Sequence, residues 1–284
     1  MTNGRNMGGK RKNSRSQIRR RLIPSYIFLT IVSLISVFPF YWMISAATNN
    51  TVDIARGRIT FGTYAVQNFI NLVNSQNLLA SLGNSFLYAA IQTVIALFVC
   101  SLAGYGFELY HDKYKDFLFS ILLLAMMVPG VATMIPLFKM ISRLGLLNSV
   151  WGFILPSVST PFLIMLFRQN SRSFPMDIME AARMDGVSEI GIFFRMYLPV
   201  MKATYAAAGV ITFMNAWNAY LWPKVVMTDH AAQTMPMLIA NLANGYSVDY
   251  GLLMMGVLFC SIPTMVVFFI LQKQFAEGIT GAVK

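Results

Sequence analysis

Charge is scarce in this chain, and negative charge most of all. Only 12% of its 284 residues are Asp, Glu, Lys or Arg, and 11 are acidic. An average soluble domain carries about 25% charged residues. Histidine is rarer still: His111 and His230 stand alone, with no partner at metal-ligand spacing. Asp229 beside His230 lacks the nucleophile or second carboxylate that acid–base chemistry needs. The two cysteines, Cys100 and Cys260, fall inside apolar runs, so they read as small core side chains and not as a disulfide. These shortages leave no catalytic residue and no metal ligand to assign. The alternating pattern of an outer-membrane barrel, with strands of about 10 residues, is also missing.

Apolar residues fill the space: 56% of the chain is hydrophobic. Runs near the ~20 residues that a spanning helix needs recur along it. The expected fold class is therefore an all-α integral membrane protein. Six spans are expected, at about 22–47, 85–107, 117–139, 150–168, 203–222 and 250–271. Tyr41 and Trp42 sit near one end of the first, as interface aromatics do. Ser45-Ala46-Ala47 imitates a signal-peptidase site, but the preceding apolar stretch exceeds the ~7–15 residues of a signal core, so this span is read as an uncleaved anchor. Asn84-Ser85 is expected to cap the second span. Pro129 and Pro136 interrupt the third, which should then be a kinked helix inside the bundle. A short amphipathic helix is expected around Tyr64–Val73, and residues 223–248 read as a polar outer segment.

The net charge of +11 is concentrated in residues 1–21, where Arg5, Lys10, Arg11, Lys12, Arg15, Arg19, Arg20 and Arg21 meet no acid. A basic block abutting an apolar run marks a cytoplasmic flank and not a nucleic-acid surface. Gly4, four residues, then Gly9-Lys10 imitates a phosphate loop, but Arg11 stands where Ser or Thr belongs and no strand precedes it. No nucleotide site is assigned. With both termini inside, the inner segments add Lys113, Lys115, Arg168, Arg172, Arg183, Arg195, Lys202, Lys273 and Lys284. The outer ones hold only Arg56, Arg58, Lys139, Arg143 and Lys224. This is the positive-inside asymmetry, and it puts residues 174–200 in the cytoplasm.

That segment is the longest polar run between two apolar ones in the second half. Pro175 starts a helix, with Asp177 in its first turn. Gly186 is placed to close it in a left-handed conformation, Ser188 to cap a second short helix and Pro199 to end the unit. Ala181 and Ala182 carry almost no side chain, so another chain can approach there. The result is a compact polar hairpin between two spans.

The hairpin resembles the coupling loop of ABC-importer permeases. Their pattern is Glu-Ala-Ala, three residues, Gly, nine residues, an apolar residue, any residue, then Leu-Pro. Glu180, Ala181, Ala182, Gly186, Leu198 and Pro199 match it, and Met196 stands where the family usually has Ile. Asn84-Ser85, Pro129 to Pro136, Gly145-Leu146-Leu147-Asn148, residues 217–223 and residues 278–284 are similar to the carbohydrate branch, of MalG type. The similarity covers nearly all of 22–284. It implies the type I permease fold, with Glu180, Ala181, Ala182, Asp185, Gly186, Leu198 and Pro199 facing an ATPase. It also implies a second permease, two ATP-binding subunits and an extracytoplasmic sugar-binding protein in a bacterial or archaeal cell membrane. ATP is then bound by the partner, and the permease itself carries no cofactor. Asn215, Trp217, Asn218 and Tyr220 offer the aromatic faces and amides that suit a sugar pathway. The competing class is a self-sufficient secondary transporter, which needs ionisable residues within its spans. The six segments hold almost none.

Overall fold

A computed structural model describes residues 7–75, 77–110 and 112–280, with side chains for 24–74, 77–110 and 112–270. His111 and the side chains of the basic tail lie outside the described residues. The elements are α1 (Met7–Ala47), α2 (Thr51–Ala55), α3 (Ala65–Ser75), α4 (Leu78–Leu109), α5 (Lys113–Ala125), α6 (Gly130–Arg143), α7 (Val150–Ile154) and α8 (Pro161–Ser171). After these come α9 (Met176–Met184), α10 (Glu189–Ile192), a π turn (Phe193–Tyr197), α11 (Leu198–Val200) and α12 (Lys202–Trp217). The chain ends with α13 (Leu221–Val226), α14 (Met235–Ala243) and α15 (Tyr250–Thr280). No strand occurs among the described residues.

The fold is built around α4. At 32 residues it is about 48 Å long, more than the apolar thickness of a bilayer. Its buried stripe runs Ser81, Ser85, Ala89, Gln92, Ala96, Cys100 and Gly104, one residue per turn and mostly small. Lipid tails are as apolar as leucine, so helices associate in a membrane by close packing, and small residues permit it. α8 and α12 lie in this groove. A Cβ on Gly104 would fall 2.6 Å from the Cβ of Phe167 and 2.8 Å from the backbone nitrogen of Arg168. The crossing of α4 and α8 therefore depends on glycine at this position.

α1 and α15 pack on each other at the edge, with much of their surface turned outward, as lipid-facing helices require. By length and composition, Pro24–Ala47, α4 and Tyr250–Ile270 can each cross a membrane, and two bent pairs bring the total to five. Three of the six expected segments thus have an unbroken counterpart and two a bent one, while the fifth, about 203–222, holds no helix of spanning length.

Five expectations need correction. The third span is not one kinked helix inside the bundle: α5 and α6 meet at 101°. Pro129 has no N–H to donate, and the amides of Met126, Met127 and Val128 turn back to the carbonyls three residues earlier. α5 buries no residue and α6 only Ile141, so the pair lies on the outside of this chain. The fourth span is also broken, by 50° between α7 with its 3-10 extension and α8. The fifth is divided at Asn218–Tyr220: α12 ends after 16 residues at Trp217, and α13 begins at Leu221.

The fourth correction concerns residues 223–248, expected as a polar outer segment. Gln233, Thr234, Met235, Met237 and Leu238 are buried, and α14 packs into the core. Side chains from distant parts of the chain hold its backbone. Asn84 donates to the carbonyls of Ala231 (2.7 Å) and Gln233 (3.1 Å), and Ser85 Oγ accepts from Met235 N (2.7 Å). Asn148 Oδ1 accepts from the amides of Thr228 and Asp229 at 2.6 and 3.0 Å. Asn84 and Ser85 are therefore not a helix cap: α4 begins at Leu78, and these two residues are the clasp for α13–α14.

The amphipathic helix expected at Tyr64–Val73 is α3, and the backbone of α1 is helical from Met7, well before the expected start of the first span.

Replacing Gly104 with Val should cost about 1–3 kcal/mol, the usual price of overpacking a filled core. The thermal midpoint of the purified protein in detergent reads this directly. An unchanged midpoint would mean that α8 can move away from α4 freely.

Candidate functional site

Residues 174–200 form the expected hairpin. α9 runs from Met176 to Met184, with Pro175 at its N-cap and Asp177 in its first turn. It ends at Gly186, whose φ is +71°. There Gly186 N donates to Arg183 O and Val187 N to Ala182 O, both at 3.0 Å, which is the paired closure of a Schellman end. A Cβ on Gly186 would meet nothing within 4 Å, so glycine is required by the backbone angle and not by crowding. Ser188 then caps α10, its Oγ accepting from Gly191 N at 3.2 Å.

The hairpin sits on an aromatic block. Tyr197 is fully buried and shares a 2.7 Å hydrogen bond with Ser171 at the end of α8. Its ring lies 4.8 Å from Tyr105 of α4, 5.4 Å from Phe193 and 5.7 Å from Phe174. Met179 and Ala182 close the block from α9. A clamp at the edge joins both short helices to the end of α4. Arg183 Nε and Nη2 donate to the two oxygens of Glu189 at 2.8 and 3.3 Å. Tyr110 donates its hydroxyl hydrogen to Glu189 as well, and the Arg183 guanidinium lies 5.7 Å from the Tyr110 ring centre. The Arg183 bonds, with help from Tyr110, hold the Glu189 carboxyl below the usual carboxylate range.

Of the residues expected to face a partner, Glu180, Ala181, Asp185, Gly186, Leu198 and Pro199 are exposed. Ala182 is not: it is buried against the chain's own aromatic block, because positions 179 and 182 share the inward face of α9. Its small side chain serves the seat of the hairpin. Two exposed apolar side chains join the outer face, Met184 (88% exposed) and Ile190 (73%). Their apolar character within a polar run was the available signal. The clamp was harder to find, since Tyr110 and Glu189 are distant in sequence.

This chain matches the family described as binding-protein-dependent transport system inner membrane component over residues 101–281, which include the whole hairpin. It belongs to that family. As a permease of this type it is 42% identical over 269 residues to the lactose transport system permease protein LacG of Rhizobium radiobacter, covering 94% of this chain and 98% of that one. It is 32% identical over 264 residues to the arabinooligosaccharides transport system permease protein AraQ of Bacillus subtilis, covering 91% and 94%. The sn-glycerol-3-phosphate permease UgpE of Pectobacterium atrosepticum is 30% identical over 270 residues, covering 92% and 96%. The fold is similar to a chain of a bacterial ABC transporter involved in the import of alginate. The TM-score is 0.82 at 19% identity, covering 96% of this permease and 100% of that chain. The protein is thus a membrane permease with the type I importer fold, and the secondary-transporter alternative falls.

The four residues expected along the pathway separate into two groups. Asn215 on α12 and Asn218 just past its end are exposed, and Tyr220 is half-buried. Trp217 departs from the expectation. It is buried, stacks on Phe213 and donates its indole N–H to the carbonyl of Cys260 at 3.0 Å. It faces inward at its register on α12 and ties that helix to α15. Among the described residues, no group of His, Cys, Asp or Glu is arranged to hold a metal ion.

Two measurements test this geometry. A carboxyl with a lowered pKa contributes stability above its unfolded pKa and loses it as pH falls through the folded value. Glu189→Gln should therefore lower the thermal midpoint at neutral pH, with the gap closing well below about pH 4. A gap constant across that range would show that no ionised pairing is involved. Trp217→Phe should lose about 1 kcal/mol of stability with the removed hydrogen bond. The apparent KM for the transported solute should not change; a large rise would return Trp217 to the pathway.

Proposed function

We propose that this permease serves an ATP-driven importer of a sugar, of oligosaccharide class, delivered by an extracytoplasmic binding protein. It works with a second permease and two ATP-binding subunits, and the hairpin is its contact with an ATPase. The observation that carries this reading is the outer face of the hairpin. Glu180 and Asp185 are exposed and have no ion-pair partner among the described residues, and Ala181, Met184 and Ile190 lie exposed around them. A charged and apolar surface on a rigid seat is suited to a cleft in a soluble subunit. The names of LacG and AraQ support a sugar as the solute.

The mechanism follows from the mounting. When the ATPase pair closes on ATP, the hairpin is displaced as one body, because the aromatic block and the Arg183–Glu189–Tyr110 clamp leave it no independent freedom. α4 and α8 hold that block through Tyr105 and Ser171, so the displacement passes into the membrane helices. The pathway then opens outward to receive the sugar. The positive-inside asymmetry puts both termini and the hairpin on the ATPase side. The permease supplies no nucleotide chemistry; ATP is bound by its partner.

Gly186→Asp tests the contact. Asp is among the few L-residues that tolerate the left-handed region, where the general penalty is about 1–2 kcal/mol, so the hairpin keeps its fold. The added carboxylate lies on the proposed docking face beside Asp185. After mild-detergent purification of the complex, ATPase recovered with the variant should fall on the order of tenfold, as a loss of ~1.4 kcal/mol gives, with the permease pair intact. Full recovery and normal uptake would overturn the docking assignment. For the parent, co-purification of a second permease and an ATPase is the expected result. Uptake into liposomes by this chain alone, without ATP, would overturn the importer reading.

A further inference from the structure

At the hairpin end, three membrane helices meet at one buried cation. Arg168 of α8 is 8% exposed. Its Nε donates to Glu108 of α4 at 3.1 Å and its Nη2 to Asp116 of α5 at 2.7 Å. The guanidinium lies 4.1 Å from the ring centre of Phe119, also on α5. Arg172, one turn further along α8, approaches Glu108 at 3.5 Å. The position of this group is informative. α8 ends three residues after Arg168, at the Ser171 that bonds Tyr197 beneath the hairpin. α5, by contrast, buries no residue of its own.

We propose that Arg168 is a positioning residue for coupling, which makes α5 follow the hairpin when the ATPase moves it. The inference rests on the hairpin being the ATPase contact. The chemistry suits a stiff link. A guanidinium is a planar fork that can serve carboxylates on two helices at once, where an ammonium is a point charge. Apolar contacts slide past one another, but separating a mostly buried cation from its carboxylates is strongly unfavourable, so the three helix ends either move together or the link is broken. The Phe107–Phe119 contact adds packing between α4 and α5 without fixing direction. α5 leads through the 101° bend into α6, so its tilt sets where the Met126–Pro129 break lies.

The test is a distance measurement in the complete importer, with permease pair, ATPase subunits and binding protein in nanodiscs. Spin labels are placed at Tyr114→Cys on α5 and Asp177→Cys on α9, both exposed positions, after Cys100 and Cys260 are replaced by Ala. The distance is read without nucleotide and after trapping with ATP and vanadate. With Arg168 and Asp116 intact, the same distance is expected in both states. In Asp116→Asn and in Arg168→Lys the distance should shift or split on trapping, while the ATPase stays bound and hydrolyses ATP. Asp116→Glu should restore the single distance. Partly exposed Asp116 makes its neutral variant the one that folds most safely. A distance that already changes in the parent overturns the proposal, as does one unchanged in both variants. Failure of the docking assignment has its own signature: the Gly186→Asp complex keeps its ATPase, whatever the labels report.

Discussion

The close approach of α8 to α4 is the constraint on which the rest of the structure depends. At Gly104 the two helices come nearer than any side chain would allow, with the backbone of Arg168 directly opposite. That contact brings Arg168 alongside Glu108 and places Ser171 under Tyr197. A wider crossing would separate the cation from its carboxylate. It would also take the end of α8 out of reach of the aromatic block. Small residues along α4 thus do more than relieve crowding: they set the distance at which the polar and aromatic links of the hairpin end can form.

Those links explain why 174–200 behaves as one unit. Its helices are short, and helices of this length have little stability alone. They are ordered by what surrounds them: the Schellman end at Gly186, the Ser188 cap, the buried rings of Phe193 and Tyr197, and the clamp across Tyr110. Each half of the hairpin is tied to α4 or α8 by a different kind of interaction. Their combination suppresses bending within the hairpin, and displacement of the whole becomes the easier motion.

Much of this was legible in the sequence because the signals were local. Gly186, Ser188, Pro175 and the position of the hairpin follow from helix-end chemistry over a few residues, and the apolar runs marked the three unbroken membrane-length helices and the two bent pairs. What escaped was tertiary. Pro129 announced a break, but not that the break would reach 101°, since the angle is set by packing. Ala182 reads as a surface alanine until α9 is turned so that positions 179 and 182 face inward. Trp217 has the character of an interface aromatic, and only the register of α12 against Cys260 shows it to be core. The segment around Gln233 is polar in composition yet buried, because Asn84, Ser85 and Asn148, distant in sequence, satisfy its backbone. For Glu180, Asp185, Asn215 and Asn218, the sequence named candidates that the structure leaves exposed.

The two ends of the molecule share apolar packing and differ in the polar contacts added to it. At the hairpin end the ties are stacked rings and an ion group centred on buried Arg168, with partly exposed carboxylates around it. At the far end α13 and α14 are held by buried apolar side chains, among them Val226, Met235 and Leu238, and by single side chains bonded to backbone, from Asn84, Ser85 and Asn148. A bond of this kind contributes only about 0.5–1.5 kcal/mol net, because water can replace either partner when the site opens. Aromatic and ionic contacts thus meet at the hairpin end of α4, while its other end adds amide–backbone contacts to a larger apolar core.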